Sequence, residues 1–379
     1  MGEAKTAQIY PIVLVSGGTG GHVFPAEALA KNLRAKGYTL ALFTDNRGAA
    51  WAGALDDVTT YAIRAGRVTG VALVQRLKGV MDLALGGLQS RRLLSQLAPS
   101  VVIGFGGYTT VPAIMAAVSL RLPIIIHEQN ALLGRANRLL APRVSAIATS
   151  FPETLRLRDE DRHKVIRTGN PVRAGFQELR DKPYHEPKRG DEINILVTGG
   201  SQGAQIFSKV VPIALARITD ETRRRIRLSQ QCRYEDLDKV QAAYQHMDLN
   251  AEVAPFFDDI AQRLDQAHLV VCRAGASTIA ELTAAGRPSI LVPYAHAADD
   301  HQTCNAQAIA DNGGAEIVAE NDFTPEVLAT RLKLMLGQPG TLDAMSAAAR
   351  AAGQNDAADN LARLVVGLSA TGNDGRAAA

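Results

Sequence analysis

The chain has 379 residues, more than one hydrophobic core usually serves, so two domains of roughly 150 to 200 residues are expected. A hydrophobic fraction of 46% against 21% charged residues excludes disordered, collagen-like and coiled-coil chains. The net charge of +3 and the 5% aromatic content exclude an extended nucleic-acid surface.

Three widely spaced cysteines, Cys232, Cys272 and Cys304, fit a reducing cytoplasm rather than a disulfide framework or a cysteine-rich zinc site. The start lacks the basic and long apolar segments of a secretory signal. Residues 1–6 match a myristoylation pattern too short and permissive to carry weight. The uncharged stretch 93–120 is long enough to span a bilayer, but Pro99, Gly104, Gly106, Gly107 and Pro112 break it into a strand, a loop and a helix start.

In chain order, short β-branched runs at 12–15, 39–43, 58–63, 101–103, 123–126, 145–149 and 165–168 alternate with helical-length segments. Near-continuous apolar strands between amphipathic helices predict a parallel sheet covered on both faces. Residues 173–192 are charged and proline-containing and read as a linker. Runs at 193–197, 226–229, 251–254, 269–272, 289–292 and 316–318 then predict a second α/β domain. The expected divisions are 1–172, a linker at 173–192, a second domain at 193–366 and a mobile Ala/Gly-rich tail at 367–379. Glycine loops after the first strand of each half, near Gly17 and Gly199, suggest twin Rossmann-like domains facing a shared cleft.

The first loop, Gly17, Gly18, Thr19, Gly20, Gly21, His22, leads into a helix expected near Pro25. Its backbone can approach a phosphate at a helix N-terminus. Gly21-His22-Val23 is not the Gly-Lys-Ser/Thr ending of a P-loop, and the dinucleotide fingerprint is only partly met. His22 is either a catalytic or substrate-contacting group or a packing residue at the helix end.

A second loop, Gly104 to Tyr108 with Gly106 and Gly107, can hold another phosphate. His127, Glu128, Gln129 and Asn130 follow a buried strand, where open α/β sheets bind ligands. The alternative is Asn130 capping a helix that starts near Leu133. In the second half the loop Gly199 to Ala204, with Ser201, repeats the anion-binding logic. Arg273 to Leu282 offers a further helix N-terminus, and Glu281 suits either two ribose hydroxyls or the helix dipole. Gln302 and Asn305 lie in a polar loop as candidates for sugar hydroxyls.

Residues 17–25, 105–108, 127–130, 169–173 and 199–204, with Glu281 in its loop, resemble in order the motifs of the MurG family. Its members transfer N-acetylglucosamine from UDP-N-acetylglucosamine to undecaprenyl-pyrophosphoryl-N-acetylmuramyl-pentapeptide, turning lipid I into lipid II for peptidoglycan. The resemblance covers roughly residues 10–365. Ala274, where many members carry Ser, and His301-Gln302, where some carry two glutamines, depart from it.

The resemblance implies a GT-B fold, with the acceptor on the N-terminal domain and the donor mostly on the C-terminal one. By it, Thr19, Gly20, Gly21, Asn130, Arg173, Ser201, Phe257, Ala276, Ser277, Thr278, Ile279, Glu281 and Gln302 bind the donor. Gly18, Gly106, Gly107 and Tyr108 are expected at the acceptor pyrophosphate. His22 is the first candidate for general base and Glu128 the second. No cofactor and no metal is expected, because no carboxylate cluster of metal-binding kind is present. A UDP-sugar epimerase or a nucleotide-sugar-binding protein on the same fold is the alternative. The implied place is the cytoplasmic face of the bacterial inner membrane, with other cell-wall synthesis proteins as candidate partners. Arg64, Arg67, Arg76, Lys78, Arg91 and Arg92 against Asp82 alone, interleaved with Val71, Leu73, Val74, Leu77, Val80 and Met81, predict a loop and short amphipathic helix on anionic lipid.

Overall fold

The computed structural model describes residues 10–45, 58–66, 73–200, 203–354 and 356–377. Ser201 and the membrane-segment residues Arg67 and Val71 lie outside the described residues. The chain divides into two units, Met1–Arg173 with Asp356–Ala379, and Ala174–Asn355.

In the first unit the strands are β1 (Ile12–Ser16), β2 (Leu40–Thr44), β3 (Thr59–Ala62), β4 (Val101–Gly104), β5 (Ile124–Glu128), β6 (Ala146–Thr149) and β7 (Val165–Arg167). They form one parallel sheet in the order β3-β2-β1-β4-β5-β6-β7. Side chains alternate across a strand, so Ile12 and Leu14 pack into one core and Val13 and Val15 into another on the opposite face. Burial on both faces is why these runs are apolar without alternation.

In the second unit β8 (Ile193–Thr198), β9 (Ile226–Gln231), β10 (Asn250–Ala254), β11 (Leu269–Cys272), β12 (Ser289–Leu291) and β13 (Ala315–Ile317) form a parallel sheet in the order β10-β9-β8-β11-β12-β13. Each expected run forms a strand, and the GT-B class of two Rossmann-like units stands. In both sheets the chain order reverses beside the first strand, between β1 and β4 and between β8 and β11. That reversal opens a crevice at the carboxyl ends of those strands.

One helix start and two domain boundaries differ from expectation. Helix α1 (Gly20–Ala35) starts five residues before Pro25, which sits inside it. Residues 173–192 do not run free: α5 (Ala174–Gln177) belongs to the second unit, and Phe176 and Leu179 are buried. There Lys182 pairs with Asp265 at 2.5 Å and the Tyr184 hydroxyl donates to the His268 carbonyl. Finally, helix α14 (Ala357–Ala377) extends through most of the expected tail and returns to the first unit. Leu361, Ala362 and Val365 fill the same core as Leu29 and Leu33 of α1, and Lys36 pairs with Asp359.

The other helices are α2 (Leu73–Leu97), α3 (Thr110–Ser119), α4 (Arg135–Leu140), α6 (Gln205–Ala216), α7 (Asp220–Arg225), α8 (Leu237–His246), α9 (Ile260–Gln266), α10 (Ala276–Ala285), α11 (His301–Ala310), α12 (Pro325–Gly337) and α13 (Thr341–Ala352). Helix α2, expected to be short, has 25 residues. It lies close on the chain after β3 through glycines: a Cβ on Gly86 would sit 2.0 Å from the Arg64 carbonyl oxygen. Gln89 fastens it further, donating to the Ala62 carbonyl at 2.7 Å and accepting from the Arg64 amide. Among the described residues no helix is long and apolar enough to cross a membrane.

Candidate functional site

In the first unit the crevice is built by two glycine loops in contact. The Gly17 amide donates to the Gly106 carbonyl at 3.2 Å, and the Phe105 amide to the Val15 carbonyl at 2.8 Å. Gly106 and Gly107 have φ of +94° and +84°, left-handed values that favour glycine. A Cβ on Gly107 would lie 3.1 Å from Gly17 Cα, and one on Gly106 3.1 Å from His22 Cε1. Bare backbone is therefore what lets the loops meet beneath the His22 ring. Gly20 and Gly21 open α1, so their amides have no intrahelical carbonyl to meet and suit an anion. Thr19 is the exposed N-cap. Gly18 and Tyr108 are half-buried, and Tyr108 lines an open cavity of about 960 Å³ with Asp45, Arg64, Asp82 and Gln89.

The polar run after β5 separates into distinct parts. His127 is fully buried, its Nε2 lies 3.0 Å from the Gly169 carbonyl oxygen, and burial pushes its pKa down to about 4. Gln129 Nε2 donates to the Phe105 carbonyl at 2.9 Å and lies 3.0 Å from His127 Nδ1, while its Oε1 lies 3.2 Å from His22 Nδ1. Glu128 is 2% exposed. One of its oxygens accepts from the Asn130 amide and side chain at 3.1 Å each, the other from the Gly134 amide and Asn137 Nδ2 at 2.8 Å each. Four donors fill the acceptor positions of this buried carboxylate, which in turn orients Asn130. They leave it poorly suited to the base role expected as second choice. Gly134, not Asn130, is the N-cap of α4.

After β7, Asn170 is 7% exposed, and neither its Oδ1 nor its Nδ2 has a hydrogen-bond partner. A buried amide left unsatisfied is costly unless a ligand completes it. Its motif was legible, but this residue was not singled out. The Arg173 guanidinium stacks 4.6 Å from the Phe24 ring centre.

In the second unit the loop after β8 is pinned by Gln231, which sequence reasoning missed. Gln231 Oε1 accepts from Thr198 Oγ1 at 2.8 Å and the Gly199 amide at 3.1 Å, and its Nε2 donates to the Gly200 carbonyl at 3.0 Å. Gly200 and Gly203 have φ of +78° and +66°. After β11, Gly275 caps α10, whose first residues are Ala276, Ser277, Thr278 and Ile279. The Ser277 hydroxyl oxygen is buried without a partner, and Glu281 is half-buried on the same helix.

Gln302 Oε1 accepts from the Tyr294 amide at 2.9 Å, so its Nε2 is the end left to donate. Asn305 is fully buried and donates to the Ala274 carbonyl at 3.1 Å, a fastening role rather than the sugar contact expected. Arg273, also missed, donates to the Val292 and Pro293 carbonyls and to Glu320 at 2.5 Å. Burial alone would raise the Glu320 pKa, but the bonds from Arg273 and the Ala295 amide outweigh it and hold it low. A charged residue directly after a buried strand was the available signal. Phe257 is buried under the Arg263 guanidinium at 4.0 Å. Among the described residues no group of three His, Cys, Asp or Glu side chains is arranged to hold a metal ion.

Residues 12–149 match the glycosyltransferase family 28 N-terminal domain and residues 194–361 the C-terminal domain. The chain belongs to glycosyltransferase family 28. A relative from Rhodospirillum centenum named UDP-N-acetylglucosamine--N-acetylmuramyl-(pentapeptide) pyrophosphoryl-undecaprenol N-acetylglucosamine transferase is 51% identical over 96% of this chain and 96% of its own. The crystal structure of Acinetobacter baumannii MurG aligns with a TM-score of 0.76 and 30% identity, covering 94% of this chain and 99% of that one. A UDP-N-acetylglucosamine 2-epimerase structure aligns with a TM-score of 0.63 over 93% of this chain and 94% of that one, at 12% identity. That likeness is one of fold alone.

Proposed function

We propose that the chain transfers N-acetylglucosamine from UDP-N-acetylglucosamine to the C4 hydroxyl of undecaprenyl-pyrophosphoryl-N-acetylmuramyl-pentapeptide, making lipid II. The observation that carries this reading is the 51% identity, end to end, with a transferase bearing that reaction in its name.

The chemistry is a single inverting displacement. The muramyl C4 hydroxyl attacks the anomeric carbon of the donor, the bond to UDP breaks, and the hydroxyl proton passes to His22. General-base help of this kind is worth typically about 10² to 10⁴-fold. Charge on departing UDP is met by the N-terminus of α10 with the Ser277 and Thr278 hydroxyls, and by the loop after β8 that carries Ser201. Glu281 accepts from the ribose hydroxyls, Gln302 and Asn130 meet the amino sugar, Arg173 and Thr19 the donor side, and the Phe257 backbone the uracil. Gly18, Gly106, Gly107 and Tyr108 receive the acceptor pyrophosphate.

The lipid-linked acceptor calls for a membrane surface, and α2 supplies the matching chemistry. Val74, Leu77, Met81, Leu85 and Leu88 recur at three- and four-residue steps and are all exposed, an apolar stripe on a helix that also exposes Arg76, Lys78, Arg91 and Arg92. Such a helix lies in the headgroup plane of anionic lipid, here on the cytoplasmic side. Transfer of labelled sugar to a short-chain lipid I analogue tests the reading. Folded protein that transfers none contradicts it.

A further inference from the structure

The hydrogen bonds around His22 fix which of its nitrogens carries the proton. Gln129 Nε2 faces two backbone carbonyls, Phe105 at 2.9 Å and His127 at 3.3 Å. Carbonyls only accept, so the amide nitrogen, not the oxygen, must lie there. The same Nε2 lies 3.0 Å from His127 Nδ1. His127 Nε2 faces another carbonyl, Gly169, at 3.0 Å, so the proton of this buried neutral ring is on Nε2 and its Nδ1 accepts from Gln129. The remaining end of Gln129, Oε1, can only accept. It lies 3.2 Å from His22 Nδ1, which must therefore be an N–H. A neutral imidazole has one N–H, so Nε2 of His22 carries the basic lone pair.

We infer that Gln129, buttressed by His127 and the Gly169 carbonyl, is a positioning residue that selects the Nδ1–H tautomer of His22 and so presents Nε2 as the proton acceptor. The inference rests on the base role proposed for His22 and adds to it how the base is prepared. Gln129 is 2% exposed and His127 fully buried, so they act through His22 rather than on substrate. The crossing of the two glycine loops holds the ring over Gly106 and Gly107, which keeps its Nδ1 edge toward Gln129.

The test uses the full chain labelled with ¹⁵N-histidine. At a pH where His22 is neutral, its ring shifts should report a protonated Nδ1 and an unprotonated Nε2. In Gln129→Leu this preference should be lost, and kcat should fall about tenfold to a hundredfold with the KM for UDP-N-acetylglucosamine little changed. Introduced into His22→Ala, Gln129→Leu should cause no further loss, because one variant already removes what the other prepares. Nε2–H as the dominant wild-type form overturns the inference, as does an equal kcat loss from Gln129→Leu with and without His22. A different result, undiminished kcat in His22→Ala, overturns the base reading itself while leaving the tautomer measurement intact.

Discussion

His22 and Glu128 look alike in the sequence, as titratable groups beside glycine-rich or strand-end motifs. What separates them lies far along the chain. Gln129, 107 positions away, orients His22, whereas Glu128 is saturated by Asn130, Gly134 and Asn137. No spacing rule carries that information, and Gln231, 32 positions from the Gly199 amide it holds, was opaque for the same reason. The buried His127 makes a stability prediction. Its pKa falls from an ordinary 6.5 to about 4 in the folded chain. Below pH 6.5 the unfolded chain takes a proton that the folded one refuses, so stability declines until the folded ring also protonates near pH 4. This costs roughly 2 kcal/mol between pH 6.5 and 5. Urea unfolding of His127→Gln should show a flatter acid decline of the first unit than the parent, and superimposable profiles contradict the assignment. On the donor side, Glu281→Ala removes a charged acceptor worth about 1.5 to 3 kcal/mol per hydrogen bond at most. Calorimetric titration with UDP should show the weakening, and unchanged affinity rejects the ribose contact.

Strands were the most legible elements, because burial on both faces forces apolar, β-branched runs bounded by glycine. Helix starts were less so: Pro25 suggested an N-terminus, yet α1 begins at Gly20 because the glycine loop itself turns into the helix. Residues 173–192 read as a linker by charge and proline. The few apolar side chains among them, Phe176 and Leu179, were enough to seat the segment on the second unit. In α2 the charge and the apolar side chains Val74, Leu77, Val80 and Met81 were legible, but that Leu85 and Leu88 continue the stripe required knowing which face is covered. Gly79, Gly86 and Ser90 are buried on the inner face while Leu77 and Met81 are exposed. Leu77→Ser with Met81→Ser, and separately Arg76→Glu with Lys78→Glu, should weaken binding to anionic vesicles. Turnover of a soluble acceptor analogue should survive, and binding by the parent should fall as salt rises. Variants that sediment with vesicles like the parent remove α2 from the membrane role.

For the whole molecule, one sheet topology occurs twice, and in each unit the glycine loops lie where the strand order reverses. On the proposed reading the first unit supplies the imidazole of His22 and the loops for the acceptor, and the second the loop fixed by Gln231 and the helix N-terminus bearing Ser277 and Glu281. The last helix, α14, ties the end of the chain back to the first unit, a return that composition alone could not disclose. Since the fold is shared with an epimerase at 12% identity, architecture does not choose the reaction; the side chains do. The most direct measurement is the product formed from UDP-N-acetylglucosamine and a soluble pyrophosphoryl-muramyl-pentapeptide acceptor. The account predicts one UDP released per disaccharide, joined through the muramyl C4 oxygen with the anomeric centre inverted. Epimerised nucleotide sugar, retained configuration, or UDP release without disaccharide would contradict it.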